Sequence, residues 1–212
     1  MSEVKDISQS EDQKMIKILS MKEIEDNWSK WDEEQRRECC LYQKMSIEFL
    51  SSHSKEIDWP CVSINPQTMG QSWEVWEKFH TRLSWTSICL NKSLADNIIY
   101  NFRNKIVWNL LLSHQHLNIK LLIVLSEIYR KSRAKAAKDF WKAVSRYEKI
   151  DHEYVDAYKR FIDFEELSKN PNITPETIRK FLLRLNPKSL MKSVDIPKDI
   201  LKEHSEYFSN LK

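Results

Sequence analysis

An aromatic residue, followed three and four places later by an apolar and a small residue, recurs along this chain with a spacing close to 23 residues. Intervals of 23 separate Trp85 from Trp108 and Trp141 from Phe164. A period of this length is typical of stacked repeats, in which one unit cannot bury its apolar face alone. Extending the period to both ends predicts units that begin near Arg36, Trp59, Trp85, Trp108, Trp141, Phe164 and Pro187.

Other positions of the repeat, counted from the aromatic as position 0, hold one kind of side chain. Position 3 is apolar in every unit: Cys39, Val62, Ile88, Leu111, Val144, Leu167 and Leu190. Position 14 is also apolar: Leu50, Trp73, Ile99, Leu122, Val155, Ile178 and Leu201. Position 17 is mostly ring-bearing: His53, Trp76, Phe102, Leu125, Tyr158, Phe181 and His204. Four units have a helix N-cap residue at position 10: Ser46, Asn118, Asp151 and Thr174.

This pattern predicts an all-α chain of tandem helix-turn-helix repeats, stacked as an α-solenoid or a compact superhelix. We expect an N-terminal tail over residues 1–19, a capping helix over 20–35 opened by the capping box Ser20–Glu23, and a repeat domain over 36–212. The Trp59 unit is three residues longer than the period and contains Gly70, and the Trp108 unit is ten longer. No helix breaker lies in 127–140, so the second helix of the Trp108 unit is predicted to extend by over two turns and to project as a basic rod.

Gly70 is the one glycine of the 212 residues, although average usage is about 7%. Phosphate-binding loops, dinucleotide-binding turns and nucleophile elbows need glycine where the backbone approaches a ligand or adopts positive φ. The standard forms of these sites are therefore excluded. We expect a non-enzymatic protein without a cofactor.

The cysteines and histidines do not have metal-ligand spacing. Cys39, Cys40, Cys61 and Cys89 include no CxxC pair, and we interpret them as free thiols of a reducing compartment, with disulfides as the alternative. His114 and His116 stand two apart, and the segment 151–156 resembles half of a zinc-protease helix without its second histidine. No metal site and no catalytic residue are predicted. We expect neither a secretory signal nor a membrane span, since no apolar run is long enough to cross a bilayer.

Basic residues are concentrated between Arg130 and Lys149, where eight lysines and arginines stand against two acids and give a net charge of +6. The candidate partner-binding residues are Arg130, Lys131, Lys135, Lys138 and Lys142. A solvated helix face is one interpretation, and a surface for an acidic protein or a nucleic acid is the other. Trp28 and Trp31 precede the repeats and could serve packing or a partner contact.

Three stretches give the repeat a recognisable spelling: CCLYQKMSIEFL (39–50), WNLLLSHQHL (108–117) and FEELSKNPNITPETI (164–178). They resemble short tandem repeats of large DNA viruses and of some phages, over roughly residues 36–207. The Trp59 unit, the long Trp108 unit and the last unit, with Ile196-Pro197 in place of Leu-Ser, depart from that spelling. The resemblance implies a viral origin and a virion-associated or interaction role, and it supplies no catalytic residues.

These observations lead to a predicted function. We expect a non-enzymatic protein-interaction scaffold, located in the virion or the host-cell cytoplasm, whose partners are viral capsid or assembly proteins. The alternative is a nucleic-acid-associated viral protein that uses the basic segment 127–149. A hydrolase or nuclease is disfavoured because glycine is scarce and histidines, cysteines and acids are not clustered.

Overall fold

The computed structural model describes residues 17–90 and 94–209, and most of the predicted tail (1–19) lies outside this part. The described residues form helices and turns and no strand, which confirms the all-α prediction. The chain divides into two compact units, one ending at Leu83 and the other starting at Ser84. No helix within the described ranges is long and apolar enough to cross a bilayer.

The described part of the first compact unit contains six helices: α1 (Met21–Trp28), α2 (Glu33–Tyr42), α3 (Ile47–Ser52), α4 (Trp59–Ile64), α5 (Pro66–Met69) and α6 (Trp73–Phe79). Ser20 forms the predicted capping box with Glu23, and Asp32 forms a second one with Gln35. The segment predicted as one capping helix therefore contains α1, a break and the first residues of α2.

The described part of the second compact unit contains α7 (Trp85–Cys89), α8 (Asp96–Asn101), α9 (Trp108–His114), α10 (Ile119–Tyr129), α11 (Lys135–Tyr147), α12 (His152–Ala157), α13 (Phe164–Leu167), α14 (Pro175–Phe181), α15 (Pro187–Ser193), α16 (Lys198–Glu203) and α17 (Ser205–Ser209). The first helices of its repeats begin at the predicted boundaries, except α11, which begins at Lys135 and not at Trp141. A 3-10 turn (Leu182–Arg184) follows α14. The first helices of neighbouring repeats contact one another: α9 lies against α7 and α11, and α11 lies against α13. Second helices contact second helices, α8 against α10 and α12 against α14.

Core positions 3 and 14 are buried in every unit except that Trp73 and Leu201, both at position 14, are partly exposed. All seven position-3 residues are buried. At position 14 Trp73 is 37% exposed, so the assignment of this residue to the core was wrong. The three extra residues of its unit lie in the stretch that forms α5 and the following turn, and they move the buried site to Trp76.

The position-0 aromatic packs on the position-17 ring of its own unit. The ring centroids lie 5.2 Å apart for Trp85 and Phe102, 5.3 Å for Trp141 and Tyr158, and 5.7 Å for Phe164 and Phe181. In the longer Trp59 unit the partner is Phe79, three places later, at 5.2 Å. Trp108, Trp141 and Phe164 are buried, whereas Trp59 and Trp85 are half-buried. The aromatic therefore joins the two helices of a unit, and it is a full core residue only in the later units.

The small residue at position 4 connects one unit to the next. Ser145 Oγ donates to the Trp141 carbonyl (2.8 Å) and accepts from the backbone N–H of Asp163 (3.0 Å), which caps the next unit. Ser168 Oγ accepts in the same way from the N–H of Asn186 (2.7 Å). Cys89 Sγ accepts from the N–H of Val107 (3.3 Å). The Leu-Ser pair thus combines a buried apolar residue with a hydrogen bond between units.

A fully buried asparagine at position 6 makes a second connection. Asn170 Nδ2 donates to the carbonyls of Ser145 and Glu148, both at 2.9 Å, at the end of the preceding unit's first helix. Asn65 Nδ2 donates in the same way to the carbonyls of Cys40 and Gln43, both at 2.8 Å. Each pair of bonds satisfies carbonyls that a helix end leaves without an intrahelical partner.

The extra residues of the Trp108 unit do not form the predicted projecting rod. Helix α10 has 11 residues, against six in α8, and it ends at Tyr129. The chain turns through 130–134, where the Ser132 hydroxyl accepts from the N–H of Ala134 (3.2 Å), and resumes as α11. The ring centroid of Phe140 in α11 lies 4.9 Å from that of Trp108 and 4.7 Å from that of Tyr129. Burial of this ring explains why the insertion folds back onto α9.

Replacing Asn170 with alanine tests the connection between units. The change removes the Nδ2 donor that the Ser145 and Glu148 carbonyls share, and we expect a loss of roughly 2–4 kcal/mol in the free energy of unfolding. Asn97→Ala, at an exposed position of α8, is the matched control and should cost less than about 0.5 kcal/mol. Urea unfolding followed by circular dichroism measures both, and equal small effects would contradict the assigned role.

Candidate interaction surface

Within the second compact unit, basic side chains occupy the turns that follow the second helix of each repeat. We call this surface the basic edge and define it by Arg103, Lys105, Arg130, Lys131, Arg133, Lys159, Arg160 and Arg184. Consecutive turns are in contact, since Tyr129 Oη donates to the Arg103 carbonyl (3.0 Å) and the Arg184 guanidinium donates to the Lys159 carbonyl (3.4 Å). Each turn occupies the same place in its unit, and their cations therefore lie along one side.

Two grooves meet at Phe161, which is 37% exposed. The larger groove, about 630 Å³, is lined by Ser132, Arg133, Ala137, Lys138, Asp139, Trp141, Lys142, Arg160, Phe161 and Asp163. The smaller groove, about 470 Å³, is lined by Arg130, Lys131, Asp156, Ala157, Lys159, Arg160 and Phe161. The Phe161 ring stacks on Trp141, with centroids 5.3 Å apart and an interplanar angle of 20°. Buried Trp141 thus fixes the aromatic that the two grooves share.

The acids of the grooves already have partners. Asp139 pairs with Lys135 (2.8 Å), Asp163 caps α13 by accepting from the N–H of Glu166 (3.0 Å), and Asp156 pairs with Lys159 and Lys180, both at 3.1 Å. The lysine contacts also hold the pKa of Asp156 below its ordinary value. Four cations of the grooves have no acidic partner in the part of the chain that the structure describes: Lys131, Arg133, Lys138 and Arg160. The grooves therefore carry a net positive charge, and these four side chains have N–H donors available for a ligand.

The five candidate residues predicted from the sequence do not lie on one helix. Arg130 and Lys131 lie in the turn before α11 and line the smaller groove, whereas Lys138 and Lys142 on α11 line the larger one. Lys135 lines neither groove and pairs with Asp139. Arg130 pairs with Glu127 (2.8 Å) and Lys142 lies 3.6 Å from Glu166. Lys131 and Lys138 are the two of the five without an ion pair among the described residues.

Sequence reasoning missed Lys159, Arg160 and Phe161, which follow Tyr158 in the next unit. A search for runs of basic residues stops at Lys149 and cannot find them. The repeat register contains a signal, because the turn after position 17 is basic in several units, as at Arg103, Lys159 and Arg184. Aligning the turns as well as the apolar positions would have predicted the edge.

The other candidate groups have structural roles. His53 stacks on Phe49 (4.3 Å), and Trp28, a buried residue, donates from Nε1 to Glu56 (3.0 Å). The four cysteines are free and buried, and burial raises the pKa of Cys39 to about 12 and that of Cys40 to about 11. No group of three histidines, cysteines or acids in the described ranges could hold a metal ion.

Glu148 is a buried acid, and it occupies a position that glutamine fills in other units. Gln115, at the same repeat position, accepts from the N–H of Leu94 (2.9 Å) and donates to its carbonyl (3.1 Å). Glu148 accepts in the same way from the N–H of Leu117 (2.9 Å), and its other oxygen lies 3.3 Å from Nδ1 of exposed His116. Burial raises the pKa of Glu148, while the Leu117 N–H and His116 oppose the rise. We interpret Glu148 as an ionisable replacement for the glutamine, since it makes the same bond to the backbone of the preceding repeat.

In comparisons with known proteins, no family model, curated protein or solved structure matches the chain.

Glu148→Gln should make stability less dependent on pH. A carboxyl whose pKa is higher in the folded state contributes most below its unfolded value near 4.5, and this contribution is lost as pH rises through the folded pKa. Glutamine keeps the acceptor for Leu117 and cannot ionise. We therefore expect the variant to be more stable than the wild type at pH 7 to 8. The difference between their free energies of unfolding should become smaller towards pH 4.

Urea unfolding at several pH values measures that gap. Glu153→Gln, at an exposed position of α12, is the control and should follow the wild-type curve. A Glu148→Gln variant that is less stable at pH 7, or one that runs parallel to the wild type at every pH, would contradict the proposed titration.

Proposed function

We propose that the chain is a non-enzymatic helical-repeat scaffold, with its units stacked as an α-solenoid, that holds an acidic macromolecular partner on the basic edge. The observation that carries this proposal is the set of four cations around exposed Phe161 that have no acidic partner among the described residues. Ion pairs neutralise the nearby acids, so the excess positive charge is available to a partner.

The stacking part of the proposal is supported by bonds that recur at fixed repeat positions. Ser145 and Ser168 at position 4 accept from the N-cap residues that precede the following units, and Asn65 and Asn170 at position 6 donate to carbonyls of the preceding units. Neighbouring units joined by the same bonds are what a one-dimensional array requires. A scaffold of this kind presents an extended surface and needs no catalytic group.

The partner's class has two candidates. The resemblance to repeats of large DNA viruses favours capsid or assembly proteins as the first candidate, and it favours the virion or the host-cell cytoplasm as the proposed location. The alternative is a nucleic acid held by the basic segment 127–149 together with Lys159 and Arg160. The abundance of arginine beside an exposed aromatic favours this second candidate.

Charge reversal tests the basic edge. The triple variant Lys131→Glu, Arg133→Glu, Lys138→Glu removes cations that have no ion pair among the described residues, so helicity and melting should change little. We expect it to elute from immobilised heparin, used as a general polyanion, at clearly lower salt than the wild type.

The control replaces Lys188, Lys192 and Lys202 with glutamate. These lysines are exposed and belong to the last repeat, and their replacement changes the net charge by the same amount. If the two triple variants elute at the same salt, retention depends on net charge alone, and the basic edge has no special role.

A further inference from the structure

The geometry points to single-stranded nucleic acid as the ligand of the two grooves, with phosphates bound by the cations on either side of Phe161 and a base stacked on its ring. This inference rests on the proposed function, because it names the chemistry of the acidic partner at the same surface.

The first argument concerns the kind of cation. Five of the eight residues that define the basic edge are arginines: Arg103, Arg130, Arg133, Arg160 and Arg184. A guanidinium binds phosphate oxygens through a planar fork of donors, whereas lysine acts as a point charge. Arg133 and Arg160 have no acidic partner among the described residues and line the same groove, so both forks are available to phosphates.

The second argument concerns Phe161. Its ring is partly exposed between two positively charged grooves and is supported from beneath by Trp141. Carboxylates of an acidic protein gain nothing from an aromatic face, whereas a nucleobase gains stacking energy on it. An apolar residue surrounded by cations is therefore explained by a ligand that is both anionic and flat.

The third argument distinguishes single strands from duplexes. In a duplex both faces of each base are covered by neighbouring bases, and only unstacked bases can lie on an aromatic side chain. Arg160 and Phe161 belong to both grooves, so a strand that crosses at Phe161 has cations before and after the stacked base: Arg133 and Lys138 in the larger groove, and Lys131 and Lys159 in the smaller one.

The experiment measures binding of a fluorescent 20-nucleotide oligo(dT) and the matching oligo(U) to the full chain by anisotropy, at a series of salt concentrations. Three variants are compared with the wild type: Arg133→Glu with Arg160→Glu, Phe161→Ala, and the control Lys188→Glu with Lys192→Glu. Circular dichroism and melting establish that each variant is folded. Phe161→Leu replaces Phe161→Ala if the alanine variant is unstable.

Phosphate contacts and base stacking predict different signatures. Each lost phosphate contact lowers the steepness of log affinity against log salt by about 0.7, so the double arginine variant should lose roughly 1.4 from the slope. Phe161→Ala should weaken binding by roughly 5- to 100-fold, corresponding to one stacked base, with no change in slope. The lysine control should bind like the wild type.

Competition by poly-L-glutamate and by duplex DNA separates the possible failures. If polyglutamate competes as well as the oligonucleotide and Phe161→Ala binds normally, the edge serves an acidic protein, and this inference is overturned while the proposed function stands. If duplex binds as well as single strand and Phe161→Ala has no effect, the stacking assignment is wrong. If no polyanion binds, or the control loses as much affinity as the arginine variant, both proposals fail.

Discussion

The fold depends on how the backbone groups between short helices are satisfied. Helices of six residues, such as α8 and α12, cannot bury enough apolar surface to be stable alone and must pack on neighbours. Packing buries their ends, where N–H and C=O groups lack intrahelical partners. Ser145, Asn170 and Gln115 supply partners from adjacent units through side-chain bonds of 2.9 to 3.1 Å. None of the described residues has a positive φ, so the turns depend on these side chains and not on glycine.

The basic edge is a consequence of the same repetition. The turn after each second helix occupies an equivalent place in its unit, so a cation in that turn lies beside the cations of the next one. Arg103, Lys159 and Arg184 occupy three such turns. A charge pattern that is scattered along the sequence becomes a continuous surface only when the units stack. Phe161 adds an aromatic face where the two grooves meet, and the proposed preference for a nucleic-acid ligand rests on this face.

Much of this architecture could be predicted from periodicity, and the exceptions have physical causes. Position 3 was correctly assigned to the core because every unit needs one apolar residue where its first helix packs. Trp73 was misassigned because its unit has three extra residues in the stretch that forms α5 and the following turn, which a fixed spacing cannot anticipate. The rod predicted for 127–140 failed because Phe140, read as part of a basic helix, has its best burial site against Trp108. Lys159 and Arg160 were missed because their proximity to Arg133 arises from packing between units and not from the sequence.

The central claim is that side chains at fixed repeat positions bond the backbone of neighbouring units. Native-state hydrogen exchange tests it directly at the N–H groups of Leu94, Leu117, Asp163 and Asn186, which bond to Gln115, Glu148, Ser145 and Ser168. These amides lie outside the hydrogen bonding of their own helices, so nothing else in the described structure protects them. The account predicts that they exchange as slowly as the interior amides of α9 and α11. Exchange at the rate of exposed turn amides would contradict it.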